Sequence, residues 1–418
     1  MKPNRFSLRD LSTLLALTLL ALVLAAGLVA LNWQLARQFG SGADFLPAWN
    51  GARAFLFEDA DPYAKALAER TQIEFYGRVA RPGEFPFALD VPLPLLILFI
   101  PFAFIPDPAW ARAVWMTLSE AGLVLLVLFS LRLADWEPRR WFSVLLFACA
   151  LTWFYSVAAL LDGSLSILLA LALVGALLAM RGFNDELAGF FLAVSAMQWE
   201  TTLLLWSLLV LAALVVRRWR VFSGIGMTWF VLGAVSFLIR PDWFWPWMRA
   251  VAANWRADSR LVPARFLEGW LPNFGANLSL LVVSILLLIL VVEWFAALRG
   301  RDYRRVAWVA ALAVALTPLL GFSNTFANLA PLVFSFIFIL PFIWERWEKR
   351  SYLLLAVVVL LFSAFPHVIR YFSVPSSSDA LTFLLPPALT FLGLYWIRWY
   401  VVRPPRTWLD DARRELKK

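Results

Sequence analysis

The chain has 418 residues, of which 62% are hydrophobic and only 16% charged, and its mean hydropathy is +0.75. A soluble domain is about 45–50% apolar and about 25% charged, so this composition excludes one and leaves no room for a sizeable soluble module. The net charge of +9 sits in short basic clusters between apolar runs, a pattern that orients a chain in a bilayer and excludes nucleic acid as the partner.

Residues 11–37 form the first apolar run, preceded by Lys2, Arg5 and Arg9. The run is too long for a cleaved signal peptide and no small-residue cleavage site follows, so it reads as a retained span with a cytoplasmic N-terminus. Residues 38–109 then form a large first outer loop, with amphipathic helices expected to lie at the interface. Within it, Pro92, Pro94, Pro101 and Pro106 interrupt an apolar stretch, because interior prolines remove helix hydrogen bonds. That stretch, 92–106, is expected to be broken and not to cross.

Further apolar runs follow at 110–131, 141–160, 164–180, 187–199, 201–216 and 221–239. After a second outer loop at 240–274 come 275–298, 306–320, 324–343, 351–370 and 380–402, and a cytoplasmic tail at 403–418. Counting these runs as spans puts Arg132, Arg139 and Arg140, Arg181, Arg217 and Arg218, Arg299 to Arg305 and the tail all on one side, as the positive-inside rule requires. The pair 187–199 and 201–216 is short, since thirteen residues at 1.5 Å each reach only about 20 Å of a roughly 30 Å core. Merging the pair would reverse every later loop. The expected fold is therefore all-α, one polytopic domain over 1–418 with about twelve transmembrane helices, in the plasma (inner) membrane with both termini cytoplasmic.

Cys149 is the only cysteine and His367 the only histidine, so no disulfide and no Cys/His metal site can form within the chain, and no metal or cofactor is expected. Charge gathers instead at the outer face. Asp44 follows the first span in GADFLPAWNGARAFLFEDADPYAKAL, which also carries Glu58, Asp59, Asp61 and Tyr63. FPFALDVPLPLLILFIPFAFIPDPAWARAVW comes next and supplies Arg112 near the start of the second span.

An aspartate after the first span, a DPY, a proline-broken apolar segment and a tryptophan near the start of the second span resemble the GT-C superfamily of polyprenyl-phosphate-sugar-dependent glycosyltransferases. The nearest likeness is to glycosyltransferase family 87, bacterial mannosyltransferase-like and arabinofuranosyltransferase-like membrane proteins, over about residues 36–220. The chain departs from that family at Gly163 to Ser166, where a Gly-Gln-x-Asn turn is common, and at Gln198 to Thr201, where a lysine and proline often stand. A late outer-loop histidine of the family is replaced by the Asn324–Asn328 region.

The resemblance implies a GT-C-like fold and an inverting transfer of sugar from a polyprenyl phosphate to a lipid or glycan acceptor, with Asp44 at the base position. A carboxylate within reach of the acceptor hydroxyl can take its proton. Glu200 lies between two short apolar helices, where an ionisable group is either functional or a helix end reaching water. Asp162 lines the same region or serves as a turn residue. Guanidinium forks suit a departing phosphate, and Arg112, Arg260 and Arg265 are available, unless they snorkel to the interface. His367 either assists at a phosphate or marks a helix kink after Pro366. Trp243, Phe244, Trp245 and Trp247 stack on sugar or form an interfacial belt. The rival function is a transporter or flippase of lipid-linked saccharides, which needs the apolar groove but no base.

Overall fold

The structure is a computed structural model that describes residues 8–40, 42–256, 261–300, 302–346, 351–372 and 375–402. Among these residues there are helices and turns and no strand. The first helix, α1 (Leu8–Gln38), leads into the first long loop, with α2 (Phe45–Phe57), α3 (Lys65–Tyr76), α4 (Leu93–Leu96) and α5 (Ile100–Ala103). The next group is α6 (Pro108–Leu133), α7 (Arg140–Thr152), α8 (Phe154–Asp162), α9 (Ser166–Arg181), α10 (Asp185–Ser195), α11 (Trp199–Val215) and α12 (Trp219–Ile239). The second long loop carries α13 (Phe244–Trp255) and α14 (Pro263–Trp270). The chain then runs through α15 (Gly275–Gly300), α16 (Tyr303–Leu319), α17 (Leu332–Arg346), α18 (Ser351–Phe372) and α19 (Pro375–Val402).

Each of the twelve apolar runs is helical. Seven stretches among the described residues are long and apolar enough to cross a bilayer, and α7 with α8, bent by 52° at their break, makes an eighth. This is a multi-pass membrane protein. The remaining runs are α9, α10, α11 and α16, at 16, 11, 17 and 17 residues, so each rises less than the roughly 30 Å of a hydrocarbon core. Of these, α16 is buried from Ala307 to Pro318 and most of α9 is buried, whereas α10 exposes Leu187 and Phe190 and α11 exposes Leu211, Leu214 and Val215. Among the longer helices 89% of the apolar window in 327–346 is buried against 11% for the window in α1. A helix apolar on every face belongs inside such a bundle, and one facing lipid needs no burial.

The short pair stays separate, with α10 and α11 parted at Ala196 to Gln198. Small residues let α10 dock on α12, where a Cβ at Gly189 would collide with the Val221 carbonyl oxygen. Buried charge fastens the last helices: the Glu293 carboxylate of α15 accepts from Arg305 at 3.3 Å and from Arg398 at 2.7 Å, joining α16 and α19.

The proline-rich stretch is broken, as its composition requires. It consists of α4, a 3-10 turn at Ile97–Phe99 and α5, with a proline in the first turn of each short helix. Its apolar side chains pack with Phe45 and Trp49 of α2 and Trp115 of α6 into a second core. The Trp49 indole donates to the Phe102 carbonyl at 3.1 Å and Arg53 to that of Ala103 at 2.8 Å, so the first long loop is a built layer.

Candidate functional site

Asp44 stands in the turn between α1 and α2, and three contacts set its place. Its backbone N–H donates to the Asp162 carbonyl at 3.1 Å. Asp162 ends α8, and its carboxylate accepts from the Gly42 N–H, so it holds both ends of the turn. Gly163 follows with φ +70°, closing α8 in the left-handed conformation that favours glycine. A Cβ there would lie 2.5 Å from Cβ of Phe45, so the glycine also lets α2 approach. Trp115 Nε1 donates to the Gly163 carbonyl at 2.9 Å and pins the junction to α6.

Asp44 occupies the N-cap of α2, yet its side chain makes no capping bond. The carboxylate turns instead into a cavity of about 230 Å³ that also receives Asp90 and Glu200. Burial pushes the Asp44 carboxyl up to about 8, and the negative charges of Asp162, Asp90 and Glu200 add to this while a hydrogen bond from Ser164 opposes it. Its side chain is half-buried and lines the cavity.

Asp90 enters from the loop before α4. Asn254 of α13 donates to its Oδ2 at 3.0 Å and to the Ala88 carbonyl at 2.8 Å, and accepts from the Ala88 N–H at 3.2 Å. Trp247 Nε1 donates to the Asp90 carbonyl at 2.6 Å, so the second long loop is clipped onto the first. Burial raises the Asp90 carboxyl above its ordinary value, opposed by the Asn254 hydrogen bond.

Glu200, in the first turn of α11, has donors on both oxygens. Trp255 Nε1 donates to Oε1 at 2.7 Å and Asn324 Nδ2 to Oε2 at 3.0 Å, while Asn328 Nδ2 donates to Asn324 Oδ1 at 3.0 Å. Trp199 and Trp255 stack with ring centroids 4.6 Å apart. The lining also includes an aromatic group, Phe75, Tyr76, Phe85 and Phe87.

The other residues singled out by sequence lie elsewhere. Arg112 does not line the cavity: its guanidinium turns to α1 and donates to the carbonyls of Ala36 and, at 2.7 Å, Phe39, closing that helix's C-terminus. Arg265 lies on α14, outside the lining. His367 sits at the α7–α8 break with Nε2 3.3 Å from the Thr152 carbonyl oxygen and its ring edge-on to Phe154, also outside it. Arg260 lies outside the described residues. Among the described residues lining the cavity there is no lysine or arginine, and among all described residues no group of three His, Cys, Asp or Glu side chains is placed to hold a metal ion.

The acidic group at 58–61 is structural. Glu58 takes a two-pronged bond from Arg70 at 2.9 and 3.1 Å, Asp61 accepts from the Tyr63 N–H at 3.1 Å, and Tyr63 donates to the Val91 carbonyl at 3.0 Å. Asp90 and Asn254 were not singled out from sequence. The DVPLP that begins at Asp90 reads locally as a proline break, and nothing near Asn254 announces a partner more than 160 residues away.

The sequence model of glycosyltransferase family 87 matches residues 92–323, more than half of the chain. The match takes in Asp162, Glu200 and Asn254 and stops short of Asp44 and Asp90 on one side and Asn324 on the other. Neither a curated protein nor a solved structure matches the chain.

Proposed function

The chain belongs to glycosyltransferase family 87, and from that premise we propose that it transfers a sugar from a polyprenyl-phosphate donor to a lipid or glycan acceptor at the outer membrane face, with inversion at the anomeric carbon. The observation that carries this reading is the Asp44 carboxylate: it is uncommitted to its helix cap, opens into a cavity, and is held near 8 by burial. A general base is most effective when its pKa lies near the working pH.

In this scheme Asp44 accepts the proton of the acceptor hydroxyl. The acceptor oxygen attacks the anomeric carbon from the face opposite the phosphate, the bond from that carbon to the phosphate oxygen breaks, and its electrons leave with the polyprenyl phosphate. Arginines of the second outer loop, Arg260 and Arg265, are the proposed counter-charges for that phosphate, in keeping with the two-pronged guanidinium fit. The donor's tail stays in the bilayer, which favours lateral entry. In this reading both termini are cytoplasmic and the membrane is the plasma membrane; the basic clusters at Arg139 and Arg140 and at Arg217 and Arg218 support that orientation on the positive-inside rule. Family membership favours a transferase over a flippase.

The test offers the purified protein polyprenyl-phosphate sugars and nucleotide sugars in parallel and reads the anomeric configuration of the product by NMR. Transfer from the lipid-linked donor with inverted configuration is expected. Transfer only from a nucleotide sugar, or with retained configuration, contradicts the scheme.

A further inference from the structure

Two buried polar atoms of residues that line the cavity, Gln198 Oε1 and Thr325 Oγ1, make no hydrogen bond within the protein. Leaving such groups without a partner is unfavourable, and native proteins rarely do so away from a ligand or water. Both lie beside the chain of side chains running from Trp255 through Glu200 and Asn324 to Asn328. Together these groups form one polar edge.

Another part of the lining is of opposite character. Phe75 and Phe87 have ring centroids 4.6 Å apart, Tyr76 lies 5.3 Å from Phe87, and Phe87 is held at φ +49°, a left-handed conformation that a bulky side chain adopts only when its surroundings impose it. A sugar ring has the matching two-sided chemistry, with C–H faces that lie on aromatic rings and a rim of hydroxyls that donate and accept. The cavity, at about 230 Å³, falls below the roughly 300–1,000 Å³ of sites for drug-sized ligands, so it suits a single ring.

We propose that the transferred sugar ring lies between the aromatic wall and the edge formed by Gln198, Asn324, Thr325 and Asn328, and that Glu200 is the positioning residue that sets this edge. The inference rests on the donor reading above and adds the residues that recognise the sugar. Glu200 acts through its neighbours: as an acceptor from both Trp255 and Asn324 it fixes which way the Asn324 amide faces, and Asn324 in turn orients Asn328. A glutamine at 200 keeps one acceptor for Trp255 but points an NH₂ group at the Asn324 NH₂ group.

The test measures binding of polyprenyl-phosphate mannose, polyprenyl-phosphate arabinofuranose and bare polyprenyl phosphate, together with donor KM, kcat and thermal stability. Thr325→Val removes a hydroxyl that the protein itself does not use, so stability should hold while affinity for the accepted lipid-linked sugar falls roughly tenfold and affinity for bare polyprenyl phosphate stays unchanged. Glu200→Gln should raise donor KM roughly tenfold to a hundredfold with a smaller change in kcat. The double variant Glu200→Gln with Asn324→Asp should restore it, because the introduced carboxylate can accept both from the introduced amide and from Asn328. The rising limb of the pH profile should persist in Glu200→Gln. Unchanged sugar binding in Thr325→Val, failure of the double variant to rescue, or loss of the limb in Glu200→Gln overturns the proposal. If the wild-type protein binds no lipid-linked sugar, the donor reading fails and takes this one with it, whereas wild-type binding indifferent to these substitutions overturns the edge alone.

Discussion

The backbone N–H of Asp44 donates to the carbonyl of Asp162 at 3.1 Å, which fastens the carboxylate after the first span to the end of α8, more than a hundred residues later in the chain. The bond uses only backbone at Asp44, so the side chain stays available to the cavity. A substitution of the Asp44 side chain can therefore test chemistry without undoing the turn.

The first prediction concerns pH. A base acts only when ionised, and burial holds the Asp44 carboxyl near 8, so kcat should rise roughly tenfold per unit below pH 8 and level off above it. Stability should run the other way. The unfolded chain releases this proton at about 3.9, so the folded state loses stability as pH rises from there to about 8. Asp44→Asn should flatten that loss and melt higher than wild type at neutral pH. A kcat independent of pH between 5.5 and 9 contradicts the assignment.

Gly163→Ala should damage both fold and activity. Its φ of +70° and the 2.5 Å approach to Phe45 mean an added Cβ strains the turn and pushes α2 away, moving Asp44 with it. The expected destabilisation is about 1–3 kcal/mol, read by thermal unfolding, with transfer reduced beyond the loss of folded protein. An alanine variant of wild-type stability and rate would show that the turn does not position the site.

Cysteine labelling checks the orientation. In a Cys149→Ser background, Lys65→Cys on the first outer loop should react with an impermeant reagent in intact cells and Glu137→Cys should not. Both side chains sit at exposed positions, so access decides the result. The reverse pattern inverts the topology.

Transfer should persist in EDTA. Although Asp44, Asp90 and Glu200 share a cavity, Asp90 is engaged by Asn254, and Glu200 by Trp255 and Asn324. Complete loss of activity in EDTA, restored by one divalent ion, would show that this carboxylate set serves a metal.

Much of this architecture is legible in the residues. The apolar runs give the helices, four prolines break 92–106, and the short runs on either side of Gln198 stay separate because the chain turns there. Asp44 and Glu200 stand out because each is a carboxylate at the edge of an apolar run, and they meet in one cavity. Side-chain direction is not legible in this way. Arg112 looks like a phosphate ligand at the start of a span, but α1 ends with open carbonyls within its reach and takes it. His367 lies against α7 and α8, outside the cavity lining that holds the carboxylates. The role of Asn254 arises only when α13 folds onto the first outer loop, a contact with no local signature.

The most direct measurement is sugar transfer by Asp44→Asn, with Asp59→Asn as the comparison. Asparagine keeps the backbone bond to Asp162 and can still accept from Ser164, but it cannot take a proton at neutral pH. Asp59 is exposed on the loop after α2, away from the cavity lining. The account predicts that Asp44→Asn folds, binds the lipid-linked donor and loses about 10²–10⁴-fold in kcat, while Asp59→Asn stays near wild type. An Asp44→Asn protein that retains most of its transfer rate would contradict it.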